Sequence, residues 1–154
     1  MVIQRAERLL PYTAEQLFDL AADVERYPEF LPWWISARIR KRLGNEYDTD
    51  QVLGLGPFRF YFGSRTIMQR PGRIEVTSAD FPFRQFRLTW TFEPRPGPAC
   101  KVTAFSELEL RGFALQQFFD RVLPSSIGDI MAAFERRAAR LYARKNEPVP
   151  LPGR

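Results

Sequence analysis

The stretch DVERYPEFLPWW, Asp23 to Trp34, places five Tyr, Phe, Leu or Trp residues and two prolines in twelve positions. It shows neither the alternation of a strand nor the 3.6-residue spacing of a helix. Pro28 and Pro32 forbid a long regular helix through it. They also stiffen the segment, so less entropy is lost in holding its rings in place. Tryptophan suits a surface that is apolar on one side and wet on the other. The reading is a mixed role, part plug for the open end of a fold and part rim of a cavity. Phe30 and Leu31 are expected to point inward, with Trp33 and Trp34 at the mouth.

The flanking sequence decides which fold this bridge serves. Before it, Ile3 to Leu10 alternates as a strand. Thr13 with Gln16 three residues on is a capping box, opening a helix whose stripe is Leu17, Leu20 and Ala21 beside Phe18. That helix should stop near Asp23. After the bridge, Ile35 to Arg42 alternates, with Ile35, Ala37 and Ile39 inward. A weaker strand comes next around Tyr47 to Leu55, then Phe58, Phe60 and Phe62 alternate with Arg59 and Tyr61 in a strand running to Met68. Pro71-Gly72 marks a turn, and Arg73 to Ser78 is the next strand. Phe86, Leu88, Trp90 and Phe92 alternate with Arg87, Thr89, Thr91 and Glu93, and Val102 to Leu110 supplies the last strand.

From Phe113 the period is helical. Ile127, Ile130, Met131, Phe134, Ala138, Leu141 and Tyr142 form one apolar face, and Arg136, Arg137, Arg140 and Arg144 the opposite one. Pro124 predicts a kink or break, with Ser125 or Ser126 capping the helix that continues beyond it, and the tail KNEPVPLPGR reads as loose. The pattern predicts an α+β fold: a strongly curved antiparallel sheet of about seven strands wrapped around a long C-terminal helix, with two short helices after strand 1. One helix cannot fill such a sheet along its length, so a cavity is expected, and cavities of this sort are default ligand sites.

At 154 residues, one domain over 1–143 with a proline-rich flexible tail over 144–154 is the expected organisation. There is no histidine and a single cysteine, Cys100, which removes a Ser/His/Asp triad and a cysteine-rich metal site. Gly54-Leu-Gly56 is too short for a phosphate-binding loop. Glu107 and Glu109 share a strand face with Lys101 and Arg111 and read as solvated, as do Asp48 and Asp50. No catalytic residue, metal or cofactor is expected, and the inward faces read as almost wholly apolar. No apolar run approaches the roughly 18 to 20 residues of a membrane span, and the N-terminus lacks the apolar segment of a signal peptide. All but three of the 23 basic residues are arginine, and the formal net charge is +5. Arg38, Arg40 and Arg42 share one strand face. They and the helix arginines read either as solvated or as contacts for phosphate, on anionic lipid or RNA.

Element order and motifs together resemble the START-like (helix-grip) superfamily and, within it, the coenzyme Q-binding family related to polyketide cyclases. The resemblance covers about residues 1–143. It rests on Tyr12-Thr-Ala-Glu-Gln-Leu-Phe-Asp-Leu20, on Ala22-Asp-Val-Glu-Arg-Tyr-Pro-Glu-Phe-Leu-Pro-Trp33, on Trp90-Thr-Phe-Glu-Pro94 and on Ala133-Phe-Glu-Arg-Arg-Ala138. Trp34 stands where the family often has Cys, and Phe81-Pro-Phe83 where it usually has Gly-Pro-Phe. Both departures bear on ligand size and preference.

The resemblance implies binding rather than catalysis: ubiquinone or a related polyprenyl lipid held between sheet and helix, in support of respiratory electron transport. A bacterial branch of the family is described as a toxin that blocks ribosomal subunit association, and these motifs do not separate the two branches. A polyketide cyclase or dehydratase is a third, lesser reading. Expected partners are therefore a lipid or quinone, an anionic membrane surface or the ribosome, but not DNA. The expected location is cytoplasmic, peripheral on the inner face of the cytoplasmic membrane. The candidate ligand-binding residues are Phe30, Leu31, Trp33, Trp34, Phe60, Phe62, Leu88, Trp90, Phe92, Ile130, Met131 and Phe134. For each of the strand and helix residues among them, core packing and cavity lining are both open.

Overall fold

The computed structural model describes residues 1–122 and 126–146. Its elements are β1 (Val2–Leu10), α1 (Ala14–Ala22), a 3-10 turn (Val24–Glu29), β2 (Trp34–Leu43), β3 (Glu46–Leu55), β4 (Phe58–Gln69), β5 (Arg73–Ser78), β6 (Phe83–Arg95), β7 (Ala99–Leu110), α2 (Phe113–Val122) and α3 (Ser126–Asn146). The seven strands form one antiparallel sheet in the order β1-β7-β6-β5-β4-β3-β2. β1 and β2 are its two edges, so the sheet is not closed. The chain passes from one edge to the other through α1 and the 3-10 turn. That crossing puts the Asp23–Trp34 bridge over the end of the sheet.

Local chemistry accounts for the elements around the bridge. The Gln16 backbone N–H donates to Thr13 Oγ1 at 3.1 Å, and the Thr13 N–H donates to Gln16 Oε1 at 3.0 Å, completing the capping box of α1. α1 buries Leu17, Phe18, Leu20 and Ala21 and packs against β5, β6, β7 and α3. α3 lays Ile127, Ile130, Met131 and Phe134 under the sheet and contacts β1 and β7.

Two expectations, for Ile35 and Arg137, change. The helical stretch from Phe113 is two helices, in line with the expected break, and α2 covers its own cluster of Leu55, Phe60, Phe62, Phe83, Leu110 and Phe119, so no single helix fills the sheet. Residues 123–125, with Pro124 and Ser125, lie outside the described residues, as does the tail from 147. Ser126 opens α3, and its hydroxyl donates to Gln4 Oε1 on β1 at 2.8 Å. Ile35 is exposed rather than inward, because the β2–β3 register slips between Trp34 and Ser36, and an extra residue in a strand turns its side chain out. Its side chain lies over Gly54, where a Cβ would come within 2.6 Å of Ile35 Cδ1. Arg137 is buried instead of sharing a solvated helix face.

Candidate ligand cavity

A cavity lies between the sheet and the helices, with a volume of about 100 Å³. The bridge contributes Val24, Tyr27, Trp33 and Trp34; β3 gives Gln51, Leu53 and Leu55; β4 gives Phe62 and Thr66; β6 gives Phe83, Phe86 and Leu88. β7 adds Ser106 and Leu108, α2 adds Phe119, and α3 adds Ile127 and Ile130. Ligand pockets commonly run from roughly 300 to 1,000 Å³, so a larger occupant requires the bridge to move outward.

Of the residues singled out from sequence, Trp33, Trp34, Phe62, Leu88 and Ile130 line this cavity. Trp90, Phe92, Met131 and Phe134 are core instead. The Trp90 and Phe92 rings stack 6.3 Å apart, and Phe134 fills the space beside Trp90 at 4.9 Å. Among the described residues, Trp90 Nε1 is the buried side-chain polar atom without a hydrogen-bond partner. Phe60 packs on Phe119 at 5.3 Å, behind the cavity wall.

Phe30 and Leu31 do not line this cavity: Leu31 is buried in the core and Phe30 packs half-buried against it. They line a separate outer groove beside α3, with Pro28, Pro32 and Arg136. The 3-10 turn sets the path of the bridge: the Phe30 and Leu31 N–H groups both donate to the Tyr27 carbonyl, at 3.2 and 2.8 Å, and Tyr27 is the ring of that turn that lies on the cavity. Trp33 then takes φ of 70°, the one positive value for a residue other than glycine among those described. This left-handed step turns the chain into β2 with both indoles on the cavity.

The inner face also carries polar groups that the reading of it as almost wholly apolar missed. Trp34 Nε1 donates to Gln51 Oε1 at 2.7 Å. Gln51 Nε2 donates to Thr49 Oγ1 at 3.0 Å and Ser64 Oγ at 2.9 Å, and those two hydroxyls bond each other at 2.6 Å. The amide is thereby used on both sides, and the network is self-contained. Its signal lay in the alternation: Tyr47, Thr49, Gln51 and Leu53 share one face of β3, and Ser64 and Thr66 continue the face of Phe60 and Phe62.

Tyr27 and Tyr47 donate to the carbonyls of Ala21 and Ala22, two of the C-terminal acceptors of α1 that the helix itself leaves unused. Burial pushes the Tyr27 hydroxyl well above the usual tyrosine range and that of Tyr47 up to about 12. No carboxylate, lysine or arginine lines the cavity among the described residues. Burial also pushes the Cys100 thiol up to about 11, which leaves it a poor nucleophile. No cluster of three or more metal-ligating side chains occurs among the described residues. The walls can bury apolar surface and offer hydroxyls, such as that of Ser106, to a polar group.

An open antiparallel sheet gripping a C-terminal helix, with a cavity between them, defines a START-like helix-grip protein. The chain belongs to the family described as polyketide cyclase/dehydrase and lipid transport, whose model matches residues 10–135. It is 30% identical over 140 residues to the ribosome association toxin RatA of Pseudomonas aeruginosa, covering 91% of this chain and 96% of that protein. It is 25% identical over 154 residues to the mitochondrial coenzyme Q-binding protein COQ10 of Dictyostelium discoideum, covering 95% of this chain and 73% of that protein. The crystal structure of TTHA0849 from Thermus thermophilus superimposes with a TM-score of 0.79 at 20% identity, over 92% of this chain and 99% of that one, a likeness of fold. The relatives are thus named for a ribosome and for a quinone, and the family resemblance read from the bridge motif holds.

Proposed function

We propose that the protein shields an apolar ligand, ubiquinone or a related polyprenyl lipid, in the cavity between sheet and α3 and so serves respiratory electron transport as a lipid-binding chaperone. The observation that carries this is an enclosed, mostly apolar cavity with no carboxylate, lysine or arginine in its described walls, roofed by Trp33 and Trp34. A neutral, ring-bearing molecule fits such walls, because stacking on indole and burial of apolar area at roughly 25 cal/mol per Å² favour it while no charge there is left unpaired. The relative named coenzyme Q-binding supports the choice of ligand. No helix among the described residues is long and apolar enough to cross a membrane, and the proposed place is peripheral, at the cytoplasmic face.

The test is organic extraction of the purified protein followed by mass spectrometry. A quinone or other lipid present in stoichiometric amount is the expected result; reproducible absence overturns the reading. A second reading, association with the ribosome, is favoured by the toxin relative and by a set of basic residues without a carboxylate partner among the described residues, Arg38, Lys41, Arg136 and Arg140. It expects co-sedimentation with ribosomal subunits that weakens steeply with salt. A cyclase would need acid–base groups in the cavity, and the tyrosine hydroxyls there are already engaged with α1.

A further inference from the structure

Four aromatic rings are exposed among the described residues: Phe58 at 51%, Tyr61 at 68%, Phe81 at 59% and Phe113 at 78%. They are not scattered. β2 starts, β3 ends, β4 starts, β6 starts and β7 ends at one end of the strand ladder, at Trp34, Leu55, Phe58, Phe83 and Leu110. Phe58 follows the β3–β4 turn at that end, Phe81 precedes β6 there, and Phe113 opens α2 just beyond β7. Single exposed apolar residues need no explanation, but three phenylalanines gathered at one end do.

Two further observations bear on that surface. Phe58 meets Phe118 at 5.2 Å, Phe118 meets Phe119 at 5.8 Å, and Phe119 lines the cavity, so an unbroken run of rings joins the exposed end to the cavity wall. The same end carries Arg59, Arg111 and Arg121, none with a carboxylate partner among the described residues, although most arginines of the sheet's outer face are ion-paired. The Arg111 guanidinium is held in place by donating to the Phe83 and Ala79 carbonyls, both at 3.0 Å. Nearby acids are Asp80, which accepts the Gly63 N–H, Asp120, which accepts from Gln116, and Glu109, which faces Arg84; the first two keep their charge, so four arginines there, Arg84 included, stand against three carboxylates.

We propose that this end is a docking surface for a bilayer containing anionic phospholipid, with Phe58, Phe81 and Phe113 entering the headgroup–acyl boundary and Arg59, Arg111 and Arg121 meeting lipid phosphates. Phenylalanine rings without a polar group enter the acyl boundary at no cost in lost hydrogen bonds, and arginines at the same end of the sheet suit an interface that is anionic outside and apolar within. Docking would set the cavity's ring-lined wall against the membrane, where a lipid is collected or released. Only that purpose rests on the cavity reading; the docking surface stands without it.

The experiment is flotation with phosphatidylcholine vesicles, with and without phosphatidylglycerol, at several salt concentrations. Wild-type protein is expected to float with the anionic vesicles. The pair Phe58→Ser and Phe113→Ser should lose about tenfold in partitioning, following the apolar area withdrawn. Arg59→Gln and Arg121→Gln should each lose about fivefold on anionic vesicles only. Leu43→Ser, at the opposite end of β2 and 73% exposed, is the matched control and should leave partitioning unchanged, with thermal melts confirming that every variant is folded. Absence of wild-type binding to anionic vesicles, an equal loss in the Leu43→Ser control, or binding to ribosomal subunits in place of vesicles overturns the proposal. Extraction separates the two claims: a Phe58→Ser/Phe113→Ser protein that keeps its lipid but no longer floats supports docking, whereas a lipid-free wild type that floats supports docking and overturns the cavity reading.

Discussion

Arg137 on α3 donates to Glu29 Oε1 on the bridge at 3.2 Å, and its guanidinium lies 5.1 Å from the centre of the Phe30 ring. Arg137 is 9% exposed, so this contact fastens the cavity's cover to the helix beneath it from the outside. The other face of the cover carries Tyr27, Trp33 and Trp34 against the cavity. Any ligand larger than the present space must work against that fastening.

Arg137→Leu should therefore lower stability by about 1–2 kcal/mol in urea unfolding, the worth of one charge-assisted hydrogen bond plus a cation–π contact. The loss stays at the low end because Glu29 is half exposed and its carboxylate can rehydrate. Acrylamide should quench tryptophan emission more strongly in the variant, as the bridge opens more often. Unchanged quenching would show that the bridge is held by something else.

Gln51→Leu should be more damaging. It removes the acceptor of Trp34 Nε1 and the amide donor to Thr49 and Ser64, leaving the indole N–H unpaired beside the cavity while the two hydroxyls keep only each other. A loss of about 2–4 kcal/mol is expected, with a shift of Trp34 emission. A loss below about 0.5 kcal/mol would mean that the network contributes little.

Stability should fall under alkaline conditions through the two bridge-facing tyrosines. Burial favours their neutral form, so the folded state holds protons that the unfolded chain releases near pH 10. Their contribution is fully present below about pH 10 and is lost as pH rises toward about 12 for Tyr47, by on the order of 1 kcal/mol per pH unit for each hydroxyl. Tyr47→Phe should be less stable at neutral pH, having lost the bond to the Ala22 carbonyl, yet show a shallower decline between pH 10 and 12. An identical slope in both proteins would contradict the assignment.

Filling the cavity should separate binding from folding. Val76→Phe on β5 projects a ring into the space at an overpacking penalty of roughly 1–3 kcal/mol, and extracted lipid should drop to background. Phe60→Leu, outside the lining, should leave lipid content unchanged while losing stability. Equal lipid in wild type and Val76→Phe would place the ligand elsewhere.

Much of the fold could be read from periodicity. Phe86, Leu88, Trp90 and Phe92 alternate because one face of β6 is buried, and the Thr13–Gln16 box marks α1 because its two bonds are local. Ile35 could not be placed that way, since a bulge depends on the register with β3 and leaves no composition signal. That Phe30 and Leu31 lie off the cavity could not be read for a similar reason. The path of the bridge depends on hydrogen bonds to the Tyr27 carbonyl and on the φ of Trp33, and an aromatic, proline-rich string carries neither.

The candidate site divided along the same line. Alternation identifies which side chains share the inner face, Phe62 on β4 and Leu88 and Trp90 on β6 among them, but it cannot say where helices stop covering that face. Trp90 meets Phe134 of α3 and Phe92 meets Phe18 of α1, and these close into core, while Phe62 and Leu88 line the gap that remains between sheet and helices. The chain alone determined the order of elements, the cap of α1 and the stiffness of the bridge, all of them consequences of neighbours in sequence. The tertiary structure alone decided that the tryptophans roof the cavity, that Arg137 holds the bridge and that three phenylalanines lie at the same end of the sheet, because each depends on how residues far apart along the chain are brought together.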